Sequence, residues 1–451
     1  MASIDYEPKL LAILSTSIFL SSIFVSSTGL VAALDDSALL TSEGKALLES
    51  GWWSQYSNLT SHRCNWTGIV CDGAGSITKI SPPPEFVKVG NKFGKMNFSC
   101  FSNLVRLHLA NHELTGSIPP LISILPQLRY LNLSSNYLAG ELPSSLGNLS
   151  RLVELDFSSN YFTNSIPPEL GNLKNLVTLS LSENSFSGPI PRTLGSLAKL
   201  RSLIFNANNI NGYIPLEIGN LTNLEDLDIS SNIILGSSIP STLGLLSNLI
   251  LLDLSHNQIT GLILLSLGNL KNLTALYLSH NQINGFIPLE IQNLTNLEEL
   301  YLSSNSISSS IPSALGLLHN LIRLDLSDNQ ITGLIPFLLG NLRNLTALYL
   351  SHNQINGSIP SSLKYCKNLA SLNLSFNNLS EEIPSELYGL DSLQYVNFSY
   401  NNFSGPVPLA LRSPFDFDFT CDFLLHGQIT NDSVTFKATA YEGNKDLHPD
   451  F

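Results

Sequence analysis

Residues 128–143 read LRYLNLSSNYLAGELP, and the register of this stretch recurs along most of the chain. Its Asn136 is followed at intervals of 24 by Asn160, Asn184, Asn208 and Asn232, after 25 by Asn257, and then at 24 again by Asn281, Asn305, Asn329, Asn353, Asn377 and Asn401. His112 holds the same position in a first copy, which makes thirteen repeats over residues 104–408. A copy of this length cannot bury its apolar edge alone, so successive copies stack into a solenoid around one continuous core.

Each position in the repeat has a physical task. Leu128, Leu131 and Leu133 point inward from a short strand while Tyr130, Asn132 and Ser134 point outward, because side chains alternate across a strand. The expected fold is therefore an α/β solenoid with a concave parallel sheet. The recurring asparagine is expected to turn inward and satisfy loop backbone groups, forming a ladder. Glycines such as Gly140, Gly188 and Gly212 suit a turn with positive φ, and pairs such as Ile190 and Pro191 lead to the convex side. Ser309 and Glu381 at the glycine position should each cost about 1 kcal/mol if the left-handed conformation is kept, whereas Asn164 is tolerable there. Irregularity is expected at Leu264, which replaces the proline of repeat 7, and near Ser237, the extra residue of repeat 6.

The chain has 451 residues, 43% hydrophobic and 13% charged, with a formal charge of −13. That balance excludes nucleic acid and anionic membrane surfaces as partners, since both need Lys and Arg to neutralise phosphate, and suits a basic or neutral ligand. The apolar run Leu10–Val25, followed by Val31, Ala32 and Ala33, reads as a signal peptide cleaved after Ala33. Asp5 and Glu7 outnumber Lys9 ahead of it, which leaves an uncleaved anchor as the alternative. Asn-x-Ser/Thr triplets begin at Asn58, Asn65, Asn97, Asn132, Asn148, Asn220, Asn272, Asn293, Asn344, Asn356, Asn373, Asn378, Asn397, Asn402 and Asn431, in keeping with the secretory route, although the repeat consensus itself generates some of them.

Residues 34–103 form an N-terminal cap. An amphipathic helix over 37–50 carries Leu39, Leu40, Leu47 and Leu48, and Trp52, Trp53 and the stretch 64–71, CNWTGIVC, follow it. Two cysteines seven apart in a secreted chain predict a Cys64–Cys71 disulfide. Cys100, Cys366 and Cys421 have no evident partner, and Cys366 reads as a small buried hydrophobe. Residues 409–451 form a polar tail.

The 24-residue repeat ending in GxIP, the tryptophan pair and the CNWTGIVC segment resemble the ectodomains of plant leucine-rich-repeat receptor-like kinases over nearly the whole chain. The tail 429–451, ITNDSVTFKATAYEGNKDLHPDF, resembles the stalk of the male-discoverer-interacting receptor-like kinase group. The resemblance implies a cell-surface or cell-wall location and a secreted peptide or protein ligand, with a leucine-rich-repeat co-receptor as a further partner. Membrane association would come only through an uncleaved signal segment or a further C-terminal part. The 451 residues contain no Gly-rich phosphate loop, HRD or DFG, so no kinase activity carries over; no enzyme activity and no cofactor or metal is expected.

In receptors of this kind the ligand lies on the concave face or along its edge. The outward column between the second and third strand leucines includes Asp228, Asp253, Tyr277, Tyr301, Asp325 and Tyr349, an acidic and aromatic window suited to ligand contact. The column before the ladder asparagine adds His256, His280 and His352. Three readings of these histidines stand: a pH-sensitive patch, a metal site or solvated surface. Near-duplication of residues 252–286 in 324–358 accounts for the recurrence without a ligand. Sugars on Asn132, Asn373 and Asn397 in the concave strands, and on Asn378 and Asn402 at the strand exits, would screen repeats 2, 12 and 13 and leave repeats 3–11 open. Asp156, Asp228 and Asp253 lie on an open sheet, which argues against a glycosidase pair. The rival function is a secreted inhibitor of a wall-degrading enzyme, as in polygalacturonase-inhibiting proteins, or a decoy receptor; those inhibitors are shorter and carry cysteine pairs at both ends. A structural wall protein would carry long Pro- or Ser-rich extensions, which this tail lacks.

Overall fold

A computed structural model describes residues 41–53, 60–236 and 238–404. The signal segment, the tail, Ser237, Cys421 and the sequons at Asn58 and Asn431 lie outside the described residues.

One strand from each repeat, from Arg106–His108 to Tyr395–Asn397, joins Ile69–Cys71 and Ile77–Ile80 in a fifteen-stranded sheet. The first two strands pair antiparallel and the rest parallel, with the middle residue of each three-residue strand always opposite its counterpart. That middle residue is the inward leucine or valine and is fully buried; the two flanking residues are partly exposed in most repeats. Packed side by side, these residues form part of a single core running from Ala46 to Phe403.

The chain leaves each ladder residue through a second strand. These strands form a six-stranded sheet over repeats 1–6, a three-stranded sheet over repeats 7–9 and a four-stranded sheet over repeats 10–13. Both breaks fall at sequence departures. The first coincides with the extra residue near Ser237, where only a Leu235–Gln258 bridge spans the repeats. The second coincides with Ser309, which does not adopt positive φ and leaves a lone Ser310–Thr332 bridge. Glu381 and Asn164 do take the left-handed conformation, at φ 70° and 64°. The irregularity expected at Leu264 is absent: its φ of −77° and ψ of 142° match the prolines elsewhere, and the same short helix follows. A β-region φ is open to any residue, so proline is not required.

The convex turns are five-residue 3-10 helices such as Ser144–Asn148, and the α-helix among the described residues is the cap helix over 41–50. Their glycines hold the repeats close: a Cβ on Gly268 would lie 2.5 Å from the Glu290 carbonyl oxygen of the next repeat. The cap packs Trp52 against Trp53, Phe93 and Phe98, with Cys64 and Cys71 disulfide-bonded at a Cα separation of 5.6 Å. Buried Glu43 accepts hydrogen bonds from Arg63 at 3.2 Å, the Ser76 hydroxyl at 2.7 Å and the Ile77 amide at 3.0 Å, a network the sequence pattern did not announce. Cys366 is fully buried and burial pushes its thiol up to about 11. Among the described residues, no helix is long and apolar enough to cross a membrane.

Candidate ligand-binding face

The asparagine ladder sets the exit of every concave strand. Asn281 donates to the carbonyls of Leu254, Leu278 and Ser279 at 3.0, 3.1 and 3.2 Å, and accepts from the Ile259 amide at 2.9 Å, so one side chain ties two repeats together. Twelve repeats carry this asparagine. The first rung is built differently, with His112 Nδ1 lying 2.8 Å from the Ala110 carbonyl of its own loop. Burial lowers the pKa of that imidazole.

The residue before each ladder asparagine is forced into the left-handed region. Ser135, Ser159, Glu183, Ala207, Ser231, His256, His280, Ser304, Asp328, His352, Phe376 and Tyr400 all have φ between 52° and 55°, as each amide turns to the next repeat or remains at the end of the series. His256, for example, donates to the Ser279 carbonyl at 2.9 Å. Non-glycine residues rarely enter this region, and here the inter-repeat bond holds them there.

The six window residues are contiguous in the sheet. Asp228 pairs with Asp253, Asp253 with Tyr277, Tyr277 with Tyr301, Tyr301 with Asp325 and Asp325 with Tyr349, all half-buried. The aspartates have a structural task that the sequence reading assigned to no residue. Asp253 Oδ1 accepts from the Ser255 amide at 2.9 Å and its hydroxyl at 2.6 Å, and Asp228, Asp325, Asn373 and Asn397 repeat the arrangement. The acceptor braces the strand exit in the repeats that carry it, and one carboxylate oxygen of each aspartate remains for a ligand. Burial raises the Asp253 pKa, with the Asp228 charge adding to it.

The tyrosines are linked through residues the sequence reading missed. Tyr277 donates to Glu299, and Arg323 donates to the other Glu299 oxygen at 2.9 Å. Burial, then Glu299, raises the pKa of Tyr277 and Tyr301, so both phenols keep their protons as donors. Tyr277 and Tyr301 meet edge to face at 5.3 Å. Glu299 and Arg323 open their strands beside the window, and reading that third outward column would have found them.

His256 and His280 stack at 4.2 Å with an 18° interplanar angle, on the left-handed corners at the rim of the sheet. His352 does not join them; Ser304 and Asp328 intervene, and it stacks on Phe376 at 4.1 Å instead. Of the sequons, Asn132, Asn373 and Asn397 are half-buried in the concave strands, while Asn65, Asn97, Asn148, Asn220, Asn272, Asn293, Asn344, Asn356, Asn378 and Asn402 are exposed. Asn272 and Asn344 also brace neighbouring repeats, donating to the Ser247 and His319 carbonyls at 3.0 and 3.1 Å. A separate lateral groove lined by Arg129, Arg151 and Lys199 contains none of the window residues.

Residues 86–205 match the family described as a leucine-rich repeat region, and residues 222–283, 247–307, 295–355 and 343–403 match the leucine rich repeat. The chain is similar to the plant peptide hormone receptor RGFR1 solved with RGF2, at 30% identity and a TM-score of 0.69 over 78% of this chain and 71% of that one. It is similar to the Arabidopsis receptor kinase HAESA ectodomain solved with an IDA peptide hormone, at 28% identity and TM-score 0.65 over 84% and 73%. An internalin from Listeria monocytogenes shares the architecture at 26% identity and TM-score 0.58 over 73% and 89%. No curated protein matches the chain.

Proposed function

Because this chain belongs to the leucine-rich-repeat family, with plant receptor ectodomains among its structural neighbours, we propose that it is the extracellular recognition module of a receptor-like kinase. In this reading it binds a secreted peptide along Asp228, Asp253, Tyr277, Tyr301, Asp325 and Tyr349. Support comes from the unbroken run of these six residues across paired strands, and from the peptide hormones held by RGFR1 and HAESA. Six strands at about 4.8 Å spacing span about 24 Å, the length of about seven extended residues. Free aspartate oxygens and phenolic donors suit a peptide with one or two basic side chains. The tail 429–451 supports placing the chain in the male-discoverer-interacting group, acting at the cell surface with a co-receptor.

The test is panning of a displayed peptide library against the secreted chain, followed by affinity measurement on Tyr277→Ala and Tyr301→Ala. A buried interface tyrosine is worth at least about 2 kcal/mol, so enriched peptides should lose about thirtyfold or more in affinity. Peptides that bind parent and variants alike would remove the window from the binding site.

A further inference from the structure

In repeats 5–10 each second strand turns into its convex helix past a buried isoleucine, such as Ile214 or Ile287. The residue before that isoleucine and the first helix residue stand three apart, within about 10 Å of each other on one flank of the solenoid. In repeats 5, 7, 8 and 10 both positions are large and apolar. The first column holds Tyr213, Leu262, Phe286 and Leu334, the second Leu216, Leu265, Leu289 and Phe337, all between 43% and 63% exposed. Repeats 6 and 9 carry serine at both positions, Ser238 with Ser241 and Ser310 with Ser313. In repeats 1–4, 11 and 12 the two columns hold only serine, proline, glutamate or arginine. Neighbouring repeats merge into one surface: Leu262 lies over Gly285, where a Cβ would come within 2.4 Å of its Cδ2, and Leu334 covers Gly357 in the same way. At the repeat 4 end Arg192 sits over the Tyr213 ring at 5.6 Å and closes the patch with a charge.

We infer that this flank joins two copies of the chain about a two-fold axis. A two-fold interface must be complementary to itself. The order along repeats 5–10 is apolar, serine, apolar, apolar, serine, apolar, which reads the same from either end. Copies running the same way place each repeat against its counterpart, and copies running oppositely place repeat 5 against 10, 6 against 9 and 7 against 8. Apolar meets apolar in both. Copying of a three-repeat unit produced this order, as NINGYIPLEIGNLTNL at 209–224 and QINGFIPLEIQNLTNL at 282–297 show, and self-complementarity is its physical consequence. Eight side chains of about 200 Å², about half exposed, offer about 800 Å², the share each partner brings to a standard interface and more than the largest apolar patch usual on a monomer. Neither column carries a charge in this stretch, so the net charge of −13 opposes pairing only at long range, where salt screens it. Sequons also leave the patch open. Asn356-Gly357-Ser358 begins just past it in repeat 11, whereas the matching Asn211-Gly212-Tyr213 and Asn284-Gly285-Phe286 carry an aromatic in place of the serine. Asn220 and Asn293 end the helices that Leu216 and Leu289 begin, about 8 Å further along the convex turn. The window residues lie on the concave strands, so pairing through the flank leaves them free for a ligand.

The experiment is sedimentation velocity on the full chain secreted from plant cells, in about 0.15 M salt and from about 1 to about 100 micromolar. The parent should pass from one to two chain masses across that range and go no further, because a two-fold contact closes on itself. Leu265→Glu/Leu289→Glu brings like charges into the contact and should weaken pairing at least about thirtyfold, the effect of losing one dominant interface residue. Leu262→Ser/Leu334→Ser installs the residue of repeats 6 and 9, keeps the chain neutral there and should weaken pairing about tenfold or more. All four leucines are exposed, so both variants should melt with the parent. Ser117→Glu/Ser144→Glu puts the same charge on the same columns in repeats 1 and 2 and should pair as the parent does. A parent that stays monomeric at about 100 micromolar would overturn the inference, as would assembly beyond two chains. So would leucine variants that pair as tightly as the parent, or an equal loss when Ser117 and Ser144 are changed.

Discussion

Replacing Asn281 with leucine tests the ladder most directly. The change removes the donors to Leu254, Leu278 and Ser279 and the acceptor for Ile259. Leucine offers no hydrogen bond in return, and the Ile259 amide and Leu254 carbonyl are left inside the solenoid. An orphaned buried polar group costs about 1–3 kcal/mol, so these two together cost about 2–6 kcal/mol. The loss should be local, because each repeat of a solenoid contacts only its neighbours. Hydrogen exchange followed by mass spectrometry should show residues 254–283 exchanging at least about 30-fold faster, the equivalent of about 2 kcal/mol, while residues 130–160 remain at the parent rate. Unchanged exchange over 254–283, or equal acceleration in both segments, would refute the assignment of the asparagine as a nearest-neighbour tie.

Glu43→Ala leaves Arg63 buried without its carboxylate, at a cost of about 3–5 kcal/mol, and should appear as lost secretion yield and early melting of the cap. Glu381→Gly relieves a positive φ and should stabilise repeat 12, by up to about 1 kcal/mol before the entropy cost of glycine, whereas Ser309→Gly, where φ is not positive, should cost about 0.5–1 kcal/mol; denaturant melts of the two variants should shift in opposite directions. The raised pKa of Asp253 means that the folded chain holds its proton at a higher pH than the unfolded chain, whose value is about 3.9. Its burial therefore costs stability above the folded pKa, and that cost is relieved as pH falls through the raised value. An Asp253→Asn variant keeps a side-chain acceptor for Ser255 but cannot ionise, so its melts should lose this pH-dependent contribution while the strand exit is retained.

The period of 24 made the core, the concave sheet and the ladder legible, since each depends on residue types at fixed positions within one repeat; the cap disulfide was legible from the seven-residue spacing of Cys64 and Cys71. The extra residue near Ser237 marked a real break for the same reason. Leu264 misled because a missing proline matters only where the backbone needs its ring, and a β-region φ does not. The outward window was legible as a column, but its internal bonds were not: Tyr277, Glu299 and Arg323 belong to three successive repeats and meet only across the sheet.

Sequence alone therefore determined the solenoid, its register, its buried residues and the columns available to a ligand, because periodic apolar spacing dictates which side chains face inward. Tertiary structure decided the second sheets, the left-handed corners, the use of Asp253 and its counterparts as strand-exit acceptors, and the stacking of His352 on Phe376. Corners and second strands are held by hydrogen bonds to the neighbouring repeat, the aspartates brace the turn into the corner of their own repeats, and the pairing of rim side chains follows from which repeats lie side by side. Those contacts exist only once the repeats have stacked.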